Sequence, residues 1–337
     1  MPSRIFHRIG QWEVVLAGCV IVLIVVASIS VNGFLTPLNI RASISVLSDT
    51  ALMILPLTMI IIVREIDISV ASMAALTSAC AGMLMQNGTP APVGIIVALI
   101  VGLACGAFNG FCVTILGLPS LVVTLGTLSL FRGLCYVLLG SNVVTAIPAG
   151  FVTFSNDALL GGFVPLDILP FVVIAIICAV VLHKMPVGRR IFAIGGNPDT
   201  ALYSGVSRRR ILMVLYMFSG FMAAIAGLIN MGLTSQASPD AMLGRELVCL
   251  TIVFLGGVDF LGGKGRYSGV VLSLLLVITL TSTLQLLNVS SYAQGTATGL
   301  LLIFSLLLSN IVKAISNNIQ ERRKQRLRLS VPASSTT

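Results

Sequence analysis

A chain of 337 residues that is 57% hydrophobic and only 9% charged is far from a soluble globular domain, where about a quarter of residues carry charge. That composition excludes a soluble fold and fits a protein that crosses a bilayer many times. A formal charge of +9 leaves nucleic acid or an acidic membrane face as partner, and the positions of the basic residues decide between them.

In chain order, Arg4 and Arg8 precede an apolar run, Val14–Val31. The run is long enough to span a bilayer and lacks a clear small-residue cleavage site, so it reads as a retained first helix. At about 20 apolar residues per crossing, ten segments follow: 13–34, 45–63, 68–86, 92–117, 119–140, 164–183, 211–233, 244–262, 267–287 and 293–315. Gly, Pro and polar residues interrupt the third to fifth, so some helices are expected to be broken or re-entrant, which is tolerated only where freed backbone groups are buried or face water. The fold class is therefore an all-α polytopic membrane protein of about ten transmembrane helices. Residues 1–12 form a tail, 13–315 the membrane domain with a loop at 184–210, and 316–337 a basic tail expected to be disordered.

Ten crossings put both termini on one side. Seventeen of the 20 Lys/Arg then share that side, only Arg41 and Arg245 fall opposite, and Arg132 lies within a span. By the positive-inside rule both termini are cytoplasmic. The excess charge is topological, and nucleic acid drops out as a partner. All seven cysteines lie in apolar runs with no CxxC or Cys/His spacing, so they read as small packing residues, with no disulfide framework and no metal site.

Between the second and third segments stands VREIDISVASMAAL (63–76), with Arg64, Glu65 and Asp67 close together. It reads as a tight cytoplasmic reversal where the charges reach water, with Asp67 or Ser69 capping the returning helix. Small residues such as Ala71 and Ser72 would let that helix pack closely. In the fifth segment Ser120, Thr124 and Thr127 fall on one helical face beside Arg132, and Thr281, Gln285 and Asn288 repeat the spacing in the ninth. Such stripes suit either helix–helix hydrogen bonding or a path for a hydroxyl-rich solute. Arg132 is costly to bury, so a functional or paired role is its default.

In the loop, Asn197 and Pro198 start a helix of about two turns, Pro198–Ser204. Asn caps the free N–H groups, Pro is pre-shaped for the first turn, Asp199 suits the dipole and Gly205 supplies a left-handed stop. By shape alone it is either a topogenic loop or a handle for an intracellular partner. Enzyme constellations are missing. His7 and His183 have no ligand-spaced neighbours, and apart from Glu65 and Asp67 the carboxylates are scattered singly. A phosphate-binding GxxxxGK[ST] is not met either: near Gly263–Lys264, Val258 stands for the first Gly and Gly265 for Ser/Thr. The Gly256–Gly269 stretch reads instead as a flexible inside turn.

Four motifs in order carry a family resemblance. GRRIFAIGGNPDTALYSGV (188–206) resembles the cytoplasmic coupling loop of permease subunits of bacterial ABC importers of the ribose/monosaccharide type. EIDISVAS, LPSLVVTLGTLSLFRG (118–133) and ELVCLTIVFLGGVDFLGGKGRYSG (246–269) resemble that family's other signatures. Arg64 and Ala71 stand where Gly is usual, and Asp259 where Ser is common. The resemblance implies a coupling loop formed by Gly188, Arg189, Gly195, Gly196, Asn197, Pro198, Ala201, Ser204 and Gly205. It also implies a second permease subunit (identical or diverged), two ATPase subunits that alone bind ATP and Mg, and a periplasmic sugar-binding protein docking on loops such as 141–163 and 234–245. The chain itself is then no enzyme, holds no cofactor, sits in the inner membrane among its lipids, and carries ribose, rhamnose, autoinducer-2 or a similar solute without a tight site. The rival from another class is an ion-coupled secondary transporter using Glu65 and Asp67; a purely structural membrane scaffold is a third reading. Arg64 would either pair with Glu65 or Asp67 or touch the ATPase.

Overall fold

Apolar stretches in a membrane must satisfy their backbone internally, and helices do so segment by segment. The computed structural model, which describes residues 11–159, 162–305 and 307, is accordingly helical apart from one two-stranded hairpin. In chain order the helices are α1 (Gln11–Ser30), α2 (Pro37–Val46), α3 (Ser48–Ile62), α4 (Val70–Gln86), α5 (Ala91–Thr114), α6 (Ser120–Leu139) and α7 (Ala149–Asn156). The hairpin β1 (Ala158–Leu159) and β2 (Val164–Pro165) follows. Then come α8 (Leu169–Lys184), α9 (Pro186–Gly196), α10 (Pro198–Tyr203), α11 (Arg208–Thr234), α12 (Arg245–Leu255), α13 (Tyr267–Leu286) and a last helix α14 over 291–305.

Six of these, α1, α5, α6, α8 (with the residues before it), α11 and α13, are long and apolar enough to cross a membrane. A seventh span results if α2 and α3, which meet at 42°, count as one. The chain is thus a multi-pass membrane protein. The expected second and third segments fall on α3 and α4, with α2 as an added helix ahead of the bend, and one segment is corrected. The eighth, 244–262, is helical for only the 11 residues of α12, because a glycine-rich loop takes over at Gly256. Residues 1–10 and 308–337, the whole basic tail among them, lie outside the described residues.

The centre of the bundle is α3, in which every residue is buried, with α4 and α11 against it. The most extensive helix–helix packing joins α5 to α11. A Cβ on Gly102 would lie 2.4 Å from the Gly220 carbonyl oxygen, and one on Gly106 would lie 2.2 Å from that of Tyr216. Glycines four apart make one flat stripe, which lets two backbones approach where the bilayer offers no hydrophobic drive. Five cysteines are buried and none of the seven is in a disulfide.

Polar contacts sort the helix ends into two groups. At one end, which carries Arg64, Lys184, Arg189, Arg190, Arg208–Arg210, Lys264 and Arg266 and is called the basic end below, the Trp12 indole N–H donates to the Leu255 carbonyl at 2.9 Å. Arg266 pairs there with Glu13 at 3.3 Å. At the far end Asn39 donates to Ser282 at 3.1 Å, Asn230 to Asp49 at 2.8 Å and Ser48 to Asp167 at 3.0 Å.

Candidate functional site

The loop between α8 and α11 is more structured than its sequence implies. Pro186 opens α9, whose Gly188, Ile191, Ile194 and Gly195 face inward while Arg189 and Arg190 face out. This helix is absent from the sequence reading, since its glycines weaken the apolar period. Gly188 is required by contact: a Cβ there would lie 1.9 Å from the Leu182 carbonyl oxygen. Asn197 then leaves the helix in extended backbone, and its side-chain oxygen accepts the Thr200 N–H at 3.0 Å. Pro198 sits in the first turn of α10, Ser204 closes it and Gly205 follows at φ +75°, as the local capping rules require. Ala201 is buried, whereas Leu202 and Tyr203 are 65% and 91% exposed. The outward apolar surface of α10 therefore belongs to Leu202 and Tyr203, and Ala201 anchors the helix to the bundle.

The turn at residues 63–69 corrects the expectation of three solvated charges. Arg64 alone is exposed. It adopts φ +67°, and its guanidinium donates from Nε to the Gly195 carbonyl at 2.6 Å and from Nη2 to the Gly196 carbonyl at 2.7 Å. Those are terminal acceptors of α9, where a cation also complements the helix dipole. Neither a pairing with Glu65 or Asp67 nor a free outward arginine is seen. Glu65 is buried and forms an ion pair with Arg208 at the start of α11.

Asp67 is 1% exposed. It accepts the Ser69 N–H at 3.0 Å, the Ser69 hydroxyl at 2.7 Å and the Ser219 hydroxyl of α11 at 2.7 Å. Asn109 of α5 donates in turn to Ser69 at 2.8 Å. Burial pushes the Asp67 carboxyl above its ordinary range, and the donors from Ser69 and Ser219 pull it back. Asp67 collects the Ser69 N–H ahead of α4, while Ser69 caps nothing with its own side chain. A carboxylate so placed is stable without water because protein donors replace it.

The loop 256–266 closes the same site and is clasped rather than loose. The Gly263 N–H donates to the Ile62 carbonyl at 2.8 Å. A Cβ on Gly195 would stand 1.8 Å from the Ile62 oxygen and 2.5 Å from the Gly263 nitrogen. The end of α3, the end of α9 and the 256–266 loop thus meet backbone to backbone.

The hydroxyl stripes fare differently from each other. Ser120, Thr124 and Thr127 are all buried. Ser120 accepts the Ile66 N–H at 3.2 Å, Thr124 donates to the Ser120 carbonyl at 2.9 Å and Thr127 to that of Thr124 at 3.4 Å. Only Ser120, and Thr124 through a 3.5 Å contact to the Ile66 carbonyl, reach the 63–69 turn, while Thr127 bonds within α6. In α13 the buried residue beside this second stripe is Ser282, which bonds Asn39 and Ser43. Thr281 is half-buried, and Gln285 and Asn288 are exposed, with Asn288 ending the helix at φ +55°. A cleft of about 460 Å³ at the basic end, beside Trp12 and Lys264, and a groove of about 1000 Å³ between α1, α8 and α13 involve neither stripe.

Arg132 finds its partner in backbone. Nη1 donates to the carbonyls of Pro239 at 2.5 Å and Ala241 at 2.8 Å, in the far-end loop before α12, where the Tyr136 hydroxyl also donates to Asp240 at 2.6 Å. Sequence reasoning missed the buried Asn109, Ser219, Asp49 and Asp167 and the half-buried Asn230 as polar partners. For all but Asp49, which Ser48 and Thr50 flank, a signal existed in an isolated polar residue inside an apolar run.

A many-span helical bundle with a capped helix standing off one end is the architecture of a transport permease. The chain belongs to the family described as branched-chain amino acid transport system / permease component, which matches residues 39–308. It is 34% identical to the ribose import permease protein of Bacillus subtilis (strain 168) over 85% of this chain and 89% of that one. It is 32% identical to the D-allose transport system permease protein of Escherichia coli (strain K12), over 87% and 89%. The autoinducer 2 import system permease protein of the same strain is 34% identical over 87% and 90%. No solved structure matches the chain.

Proposed function

We propose that this chain is the membrane-spanning subunit of an ATP-driven importer of a monosaccharide or similarly hydroxylated solute in the bacterial inner membrane. It works with a second permease, two ATPase subunits and an external binding protein, and binds no ATP, metal or nucleic acid itself. The single observation that carries this reading is α10, a capped helix at the basic end that turns Leu202 and Tyr203 to solvent and roots Ala201 in the bundle. An apolar pair on a rooted helix fits a groove on an ATPase, and the similarity to ribose, allose and autoinducer-2 permeases supplies the solute class.

In this reading the chain crosses ten times with both termini cytoplasmic. The alternation of helix ends and the gathering of cations at one end support that count. With α12, at about 1.5 Å per residue, too short to span alone, its crossing is completed by loops buried in protein, where irregular backbone is tolerated. ATP-driven closure of the ATPases moves α10, and the bundle opens toward the binding protein at the far end. The ion-coupled alternative is not favoured, since Glu65 is paired with Arg208 and Asp67 is surrounded by donors. The test is uptake of labelled D-ribose, D-allose and autoinducer-2 by cells with and without the gene. Uptake that survives its deletion, or that persists without the ATPase and collapses with an uncoupler, overturns the proposal.

A further inference from the structure

The 63–69 turn touches the coupling segment twice, once on each side of α10. Arg64 holds the carbonyls of Gly195 and Gly196, immediately before it. Glu65, the next residue, holds Arg208, the first residue of α11, which follows α10 after the short link 204–207. Both side chains leave one short piece of backbone whose own N–H and C=O groups are tied down. The Ile66 N–H donates to Ser120, and its carbonyl accepts from Tyr216 at 3.3 Å. Two residues on, Asp67 reaches Ser219 in the middle of α11 and, through Ser69, Asn109 of α5. A single turn therefore joins α10 at both flanks to α3, α4, α5, α6 and α11.

The backbone of Arg64 argues that its aim is enforced. A left-handed φ is uncommon for a side-chain-bearing residue and persists where the surroundings over-determine it. Here Gly262 walls the stem: a Cβ on it would stand 2.4 Å from Arg64 Cγ. The missing side chain at 262 leaves room for the stem, whose guanidinium reaches the end of α9.

Resting on the permease reading above, we infer that Arg64 and Glu65 are positioning residues that clasp the α10 segment at its two ends and make its displacement a displacement of the central helices. Unlike a lone docking helix, a segment held at both flanks cannot tilt about one hinge without dragging the turn. The chemistry is that of a charge-assisted grip, guanidinium on carbonyl pair and carboxylate on guanidinium, at a face that water reaches through Arg64 and the half-exposed Arg208.

The experiment uses the whole complex, permease with its ATPase and binding protein, in liposomes, and reads labelled D-ribose imported per ATP hydrolysed. Arg64→Gly suits the left-handed backbone and removes the grip, and Arg208→Gln releases the other flank at a partly exposed position. Each is expected to lower the ratio by about fivefold or more, the low end of typical coupling between sites. The double variant should be no worse than the poorer single, and Arg64→Lys should recover part of the loss. Co-purification of the ATPase and a melting temperature near wild type separate lost coupling from lost assembly. An unchanged ratio in both singles, losses that multiply in the double, or losses that vanish once corrected for folded complex would overturn the clasp. If the wild-type complex hydrolyses ATP on meeting the binding protein yet moves no ribose, ribose is ruled out as the solute, while the permease reading stands. The clasp is then judged by stimulated over basal hydrolysis, which the variants must still flatten.

Discussion

Arg64 and Arg132 solve the same problem at opposite ends of the bundle. Each holds two backbone carbonyls of a segment more than a hundred residues away, Gly195 and Gly196 for one, Pro239 and Ala241 for the other. Their settings differ. Arg64 stands on a turn, exposed, in a left-handed backbone that a glycine would adopt at less cost. Arg132 rises from the middle of α6, half-buried, and its Nε finds no acceptor among the described residues. The far-end grip is set into a regular helix, while the basic-end grip depends on glycines at 195, 262 and 263 letting three backbones meet. The first should behave as a fixed clamp on a loop, the second as a joint.

The largest effect should come from filling that joint. Gly195→Val sets side-chain atoms against two backbone groups that cannot step aside, a cost of about 3 kcal/mol or more. The expected result is loss of monodisperse protein in detergent and of uptake. At the far end Arg132→Met keeps the stem but strips both carbonyls of a charged donor, about 2 kcal/mol. Amide exchange across 235–244 should rise while the ATPase still co-purifies; protection unchanged there would show that the loop holds itself. Asn197→Ala removes the α10 cap and about 1 kcal/mol of helix stability, read as faster exchange at the α10 amides with the far end untouched. Smallest is Tyr136→Phe, which deletes one exposed hydrogen bond to Asp240, worth about 0.5 kcal/mol. Its melting temperature should barely move, and a drop as large as that of Arg132→Met would make Tyr136 the principal anchor of the loop.

What could be read without coordinates followed the range of the interaction. The α10 helix is written locally, in Asn197, Pro198 and Gly205, and it folds where those residues put it. Apolar runs marked where most helices lie, but hydropathy continued through Gly256 and Gly257 and overstated α12, since glycine is neutral on an apolar scale yet ends helices. The fate of Arg64 was out of reach because its acceptors lie 131 and 132 positions along the chain. Asp67 misled for another reason. A carboxylate between apolar runs is expected to seek water, but Ser69 two residues on and Ser219 of α11 supply the donors that let it stay inside, with Asn109 steadying Ser69. The Ser120 stripe was recognised as a face, but its neighbour, the Ile66 backbone, is invisible to periodicity.

The contacts of α1 bear on how the chain is made. Trp12 and Glu13 find their partners at Leu255, Arg266 and Ser268, more than 240 residues later. During synthesis the first helix therefore enters the bilayer with its mooring still unmade, and must wait there as a lone apolar rod while eight or more further helices are laid down. Its docking joins an early-made segment of the chain to one made more than 240 residues later. A ribosome stalled before residue 255 would leave that first helix adrift, and the end of α3 without the Gly263 N–H that closes on Ile62.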